Sequence, residues 1–147
     1  DKVWLANFIF TSCPSLCPIL TKKMRKFQDE FSYHPSFQLV SFSVDPENDT
    51  FEKIQAYKKK FGMGESWQLL SGSWPKIQRI IDKGFRLGSP KNPMFHSDRF
   101  VLINKNLEIV GSYSSQSPQS LRDLRDKIRF FLEKNISKKN RNFDLTI

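Results

Sequence analysis

The apolar positions along this chain follow two rhythms that alternate from the first residues onward. Val3–Phe10 is almost continuously apolar, as a strand covered on both faces must be. From Leu20 the apolar residues Leu20, Met24, Phe27 and Phe31 recur at intervals of four, three and four, with Lys22, Lys23 and Lys26 off that line. This is one stripe of an amphipathic helix. Pro18 suits a first helical turn and disfavours helical geometry in the residue before it, so the pattern predicts a helix starting near Pro18. Phe37–Val44 reads as a second strand. Asp49 with Glu52 three residues on reads as a capping box opening a helix that carries Phe51, Ile54, Tyr57 and Phe61. Trp67–Leu70 is a short strand, and Trp74, Ile77, Ile80 and Ile81 mark a short helix closed by Gly84. Phe100–Ile103 and Leu107–Tyr113 flank the turn formers Asn104-Lys105-Asn106, which predicts a hairpin. Ser117-Pro118 opens a last helix whose inner face holds Leu121, Leu124, Ile128 and Phe131.

Strands and helices in the order βαβαβαββα imply an α/β fold with a parallel or mixed sheet. With a closing hairpin and helix, and cysteines directly after the first strand, the order suggests a thioredoxin-like domain, a central mixed sheet flanked by helices. The 147 residues, 38% hydrophobic and with fourteen phenylalanines, suffice for one core without disulfide staples. We place the domain at residues 1–136 and a polar C-terminal tail at 137–147. No run approaches the ~18 apolar residues of a membrane helix. Asp1-Lys2 leads straight into strand-like sequence, so an N-terminal part and any anchor are expected upstream of this chain.

The formal charge of +9 raises the question of a polyanionic partner. The basic residues are spread over helix faces (Lys22, Lys23, Arg25, Lys26; Lys58, Lys59, Lys60) and the tail, without interleaved aromatics in a nucleic-acid motif. They read as solvated faces, with at most a weak pull toward an acidic partner or an anionic bilayer.

Candidate chemistry lies in Phe10-Thr11-Ser12-Cys13-Pro14-Ser15-Leu16-Cys17-Pro18. Cys13 and Cys17 are the only cysteines, and four-residue spacing at a strand-to-helix turn brings two sulfurs together where helix-end amides favour thiolate. Such a pair is a redox couple, part of a soft-metal site, or two buried structural cysteines that continue the helix rhythm.

Three blocks extend this reading. Phe8-Ile-Phe-Thr-Ser-Cys-Pro-Ser-Leu-Cys-Pro, Leu39-Val-Ser-Phe-Ser-Val-Asp-Pro-Glu-Asn-Asp-Thr50 and His96-Ser-Asp-Arg-Phe-Val-Leu-Ile103 resemble, in order and interval, the signature blocks of the Sco/SenC proteins. Those are thioredoxin-fold copper chaperones for cytochrome c oxidase assembly. The resemblance runs from Lys2 to about Phe131. It implies a copper site made by Cys13, Cys17 and His96, and a partner in the copper-bearing subunit of the oxidase. It also implies a thiol reductant, and a place on the periplasmic face of a bacterial inner membrane, or in the mitochondrial intermembrane space, with the anchor upstream. The chain departs from the family in having Phe51 where proline is frequent, and in lacking the N-terminal strand region and anchor.

The residue chemistry is consistent with that implication. Soft thiolates select Cu(I) and imidazole serves both copper oxidation states. A closed zinc site would want a fourth protein ligand, and there is no third cysteine. His96 sits in a polar break near Pro90 and Pro93. Met94 is better read as packing than as a ligand. His34, before Pro35, reads as a surface residue. Asp45 ends the second strand beside the first and is a candidate to support the site from behind, whereas Asp49 is assigned to the helix cap. The function expected from the resemblance is copper delivery to the binuclear copper site of the oxidase. The alternative is a thiol–disulfide oxidoreductase using Cys13 and Cys17, although redox enzymes of this fold usually have two residues between the cysteines rather than three. A peroxidase-like role fits less well, because no cysteine stands alone.

Overall fold

The computed structural model describes residues 2–85 and 98–141. Its elements are β1 (Val3–Ile9), α1 (Leu16–Phe31), β2 (Phe37–Ser43), α2 (Phe51–Phe61), β3 (Trp67–Leu70), α3 (Trp74–Arg79), β4 (Arg99–Ile103), β5 (Ile109–Ser114) and α4 (Pro118–Arg141). A wider-wound π turn, Ile80–Phe85, continues α3. The helix α4 runs past Ser137, where the polar tail is expected to begin, to Arg141.

One five-stranded sheet, ordered β3-β2-β1-β4-β5, organises the chain. β1 pairs parallel with β2 from Val3↔Phe37 to Ile9↔Ser43, β2 pairs parallel with β3, and β4 and β5 run antiparallel. Two successive right-handed crossovers, β1-α1-β2 and β2-α2-β3, step the same way across the sheet and so put α1 and α2 on one face. That face is the larger core, in which Leu5, Ile9, Leu20, Met24, Phe27, Leu39, Phe100, Leu124 and Ile128 are buried together. The opposite face holds Ala6, Phe8, Val40, Phe42, Val101 and Ile77, with α3 covering it. The predicted stripe of Leu20, Met24, Phe27 and Phe31 is buried along its whole length. Between helices, the Glu30 carboxylate accepts from Arg125 and Arg129 of α4, each at 2.6 Å.

Three local expectations are corrected. The helix α1 begins at Leu16 rather than near Pro18, because Pro18 falls among the first turn's residues, whose N–H groups have no intrahelical partner, and so forfeits no bond there. The N-cap of α2 is Thr50, whose hydroxyl accepts from the Lys53 N–H, and not Asp49. The strand β5 begins at Ile109 instead of Leu107. The Asn104 side-chain oxygen accepts from the N–H groups of Asn106 and Glu108, holding the turn two residues longer and carrying Leu107 to φ 64°.

Candidate metal and thiol site

β1 stops at Ile9 and the chain turns across the carboxyl ends of the parallel strands, where open α/β sheets place their ligands. The Cys13 N–H donates to Phe10 O at 3.2 Å, closing the turn that brings the first cysteine back over the start of α1. Ser15, the helix's N-cap residue, makes no side-chain cap bond. The sulfur of Cys13 takes that role: the Cys17 N–H, one of the orphan donors of the first turn, donates to Cys13 Sγ at 3.3 Å. The two cysteines are therefore placed by the same feature that starts the helix. Both are reduced and buried, Cys13 at 7% and Cys17 at 4% exposure.

This arrangement pushes the two thiols apart in acidity. Burial opposes ionisation of Cys13, yet the Cys17 thiol and the N–H groups of Cys17, Ser15 and Leu16 donate to its sulfur and together bring its pKa below the usual 9.0. Burial drives Cys17 the other way, to about 12, and its role as donor to Cys13 and the nearby charges of Cys13 and Asp49 add to the rise. One turn further along α1, Thr21 Oγ and the Tyr57 hydroxyl of α2 share a buried hydrogen bond of 2.7 Å. Burial, followed by the charges of Cys17, Cys13 and Asp49, holds the Tyr57 phenol above its usual pKa despite that bond.

Of the two carboxylates singled out in the sequence, the one that reaches the cysteine loop is Asp49. It is 3% exposed. The Thr11 N–H donates to Asp49 Oδ1 at 3.0 Å, the Thr11 hydroxyl donates to the same oxygen at 2.6 Å, and the Ser43 hydroxyl donates to Oδ2 at 2.6 Å. Asp45 turns outward and accepts both of its side-chain bonds from the Asn48 amide. Local pattern offered Asp49 as a cap because an acidic residue before a helix usually is one. The signal available in the sequence was the pair of donors, Thr11 and Ser43, at the ends of two strands already expected to be neighbours. A groove of about 770 Å³ is lined by Asp49 and walled by Phe51, Ile54, Leu70 and Trp74.

His96 and Met94, with Pro90 and Pro93, lie outside the described residues. His34 accepts from the Ser36 N–H through Nδ1 at the C-terminal end of α1, in the loop leading into β2. Among the described residues no group of three or more His, Cys, Asp or Glu side chains could hold a metal ion.

Residues 1–133 match the SCO1/SenC family. The chain belongs to that family. It is 30% identical over 108 residues to a putative copper-binding protein of Stutzerimonas stutzeri, an alignment covering 71% of this chain and 50% of the relative. A crystal structure of a SCO1/SenC family lipoprotein from Bacillus anthracis superposes with a TM-score of 0.75 at 33% identity, covering 88% of this chain and 81% of that one. BsSco, described as a member of the Sco family of cytochrome c oxidase assembly proteins with a disulfide switch, gives 0.72 at 26% identity, over 89% and 80% of the two chains. The fold of this SCO1/SenC chain is accordingly thioredoxin-like, a mixed sheet with flanking helices, as its element order predicts. The chain spans between 50% and 62% of the length of the first curated relatives it matches. Among the described residues no helix is long and apolar enough to cross a membrane.

Proposed function

We propose that this SCO1/SenC domain carries copper on Cys13 and Cys17 and passes it to thiol ligands of an oxidase copper site. The observation that carries the reading is the seat of Cys13 Sγ on the Cys17 N–H. It fixes one sulfur at the positive end of a helix and keeps the other within bonding reach. Two soft sulfurs so placed fit Cu(I), which accepts two thiolates without further protein ligands. His96, carried over from the family's third sequence block, is proposed as a third ligand that matters most for Cu(II). The partners that follow are the copper-bearing subunit of cytochrome c oxidase and a thiol reductant that keeps the pair reduced. The setting is the outer face of a membrane that holds the oxidase.

Transfer would exploit the difference between the two thiols. Cys13 is stabilised as thiolate by amides that stay in place, whereas Cys17 lies deeper and favours its proton. An incoming thiolate can therefore displace Cys17 from the metal while Cys13 still holds it, and Cys17 takes up a proton as it leaves. The test is a copper titration of the reduced protein with X-ray absorption, on wild type, Cys13→Ser, Cys17→Ser and His96→Ala. One copper bound through two sulfurs in wild type, lost in either serine variant, is the expected result. A native copper spectrum in either serine variant sinks the proposal.

A second reading is favoured by the same asymmetry. A thiol–disulfide oxidoreductase needs one ionised cysteine to attack a disulfide sulfur and a second, protonated one to resolve the mixed disulfide. In that reaction Cys13 attacks, Cys17 then loses its proton and displaces the substrate thiol, and the protein is left as the Cys13–Cys17 disulfide until a dithiol reductant restores it. Copper-loaded protein mixed with a pre-reduced acceptor domain separates the two, since only the chaperone moves copper there.

A further inference from the structure

We infer that Asp49 is a positioning residue for the cysteine pair: its buried carboxylate clamps Thr11 and thereby fixes where Cys13 lies over the start of α1. The inference deepens the proposed function and rests on the two cysteines being the working site.

Buried carboxylates are costly unless every oxygen is satisfied, and Asp49 is satisfied entirely by hydrogen bonds. Oδ1 receives both donors of Thr11, main chain and side chain; Oδ2 receives the Ser43 hydroxyl and, at 3.3 Å, a second share of the Thr11 N–H. Thr11 lies just beyond the end of β1 and two residues before Cys13, while Ser43 is the last residue of β2. Asp49 itself is anchored by its own N–H to Asp45 O at 2.9 Å, in the turn that leads into α2. The carboxylate is thus a staple between the end of β2 and the loop that leads to Cys13. The β1–β2 ladder is already secured at this point by the Val44 N–H donating to Ile9 O at 2.9 Å, so the sheet does not depend on the staple for its register. Thr11 and Ser12 lie between this staple and the Cys13–Phe10 turn bond, on the path from β1 to Cys13.

The two sides of Asp49 are experimentally separable. Removing the Ser43 hydroxyl takes a bond from the sheet side, and removing the Thr11 hydroxyl takes one from the loop side. Each loses one hydrogen bond to the same carboxylate, but only the second should unseat Cys13. The Cys17 N–H reports that seat directly, because its acceptor is Cys13 Sγ.

The experiment is amide hydrogen exchange by NMR on the reduced, metal-free chain, comparing wild type with Asp49→Asn, Thr11→Val, Thr11→Ser and Ser43→Ala. In Asp49→Asn and Thr11→Val the Cys17 amide should exchange about tenfold faster or more, the scale of losing one charge-assisted bond. The Leu39 and Val40 amides of β2 should quicken far less. Thr11→Ser should restore wild-type exchange and Ser43→Ala should leave the Cys17 amide no more affected than β2. If Asp49→Asn does not fold, the three other variants carry the test. Cys17 exchange that rises only in step with β2, or equally in Ser43→Ala and Thr11→Val, overturns the inference and leaves Asp49 a stability residue. Since no metal is present, a failed copper titration would undo the proposed function without touching this result, and the converse also holds.

Discussion

The backbone N–H of Cys17 donates to the sulfur of Cys13, 3.3 Å away, where a helix would ordinarily recruit a serine or aspartate oxygen as its cap. That contact caps α1 and holds the two thiols together, and with the Cys17 thiol, the other first-turn amides and the burial of Cys17 it biases which of them ionises.

That bias predicts unequal reactivity. Thiolate is the nucleophile, so iodoacetamide should modify Cys13 before Cys17 in the reduced, metal-free protein. The sign follows from the direction of each shift. Cys13, below 9.0, gains thiolate as pH rises through the range under 9.0, while Cys17 stays protonated until pH approaches about 12. Peptide mapping by mass spectrometry from pH 6 to 10 should show one labelled site throughout. Equal labelling of both cysteines at pH 8 would contradict the structure.

Copper should abolish that labelling. A metal held by both sulfurs occupies the lone pair that alkylation requires, and removing it with a thiol-compatible chelator should return Cys13 to its metal-free rate. Binding should also raise the midpoint of thermal unfolding, because a ligand that binds only the native state adds to its stability. Labelling that proceeds unchanged under stoichiometric copper would count against the proposed site.

Fold stability should depend little on the cysteines. The stripe of Leu20, Met24, Phe27 and Phe31 secures α1 without them, and a serine oxygen at position 13 can still accept the Cys17 N–H. Cys13→Ser and Cys17→Ser are each expected to cost about 1–2 kcal/mol in urea denaturation of the apo protein. A double variant that cannot fold would restore the reading in which the pair is mainly core.

A larger loss is expected at Ser41. Its hydroxyl accepts from Trp67 Nε1 at 2.9 Å and donates to Asn7 Oδ1 at 2.5 Å, joining three adjacent strands through wholly buried polar groups. Asn7 Nδ2 already has no partner among the described residues. Ser41→Ala strands the Trp67 and Asn7 groups as well and should cost about 2–3 kcal/mol, measured by urea denaturation with tryptophan emission as probe.

Gly62 is a backbone requirement. It ends α2 in the left-handed region at φ 61°, and its carbonyl accepts from Arg25 Nη1 and Gln28 Nε2 of α1, each at 3.0 Å. A methyl group there would meet the Arg25 guanidinium as well as the left-handed strain. Gly62→Ala should destabilise by about 1–2 kcal/mol and loosen α2 from α1, as measured by thermal unfolding.

The element order, the inward stripe of α1 and the location of the cysteine pair at the junction of β1 and α1 were all legible in the amino-acid sequence. Each depends on periods of two or 3.6 residues, or on a turn chemistry contained within a few neighbours. The strand order β3-β2-β1-β4-β5 and the face that carries α1 and α2 were left to the tertiary structure, since they follow from crossover handedness and packing rather than local pattern. So was the identity of the carboxylate at the cysteine loop. Asp45 and Asp49 lie four residues apart in one polar turn, and nothing local distinguishes an outward side chain bonded to Asn48 from a buried one bonded to Thr11, 38 residues away. The split between the Cys13 and Cys17 thiols has the same origin. Spacing brings two sulfurs together, but which one receives the helix amides and which is buried beneath them is decided only when β1, α1 and the α2 turn are packed against one another.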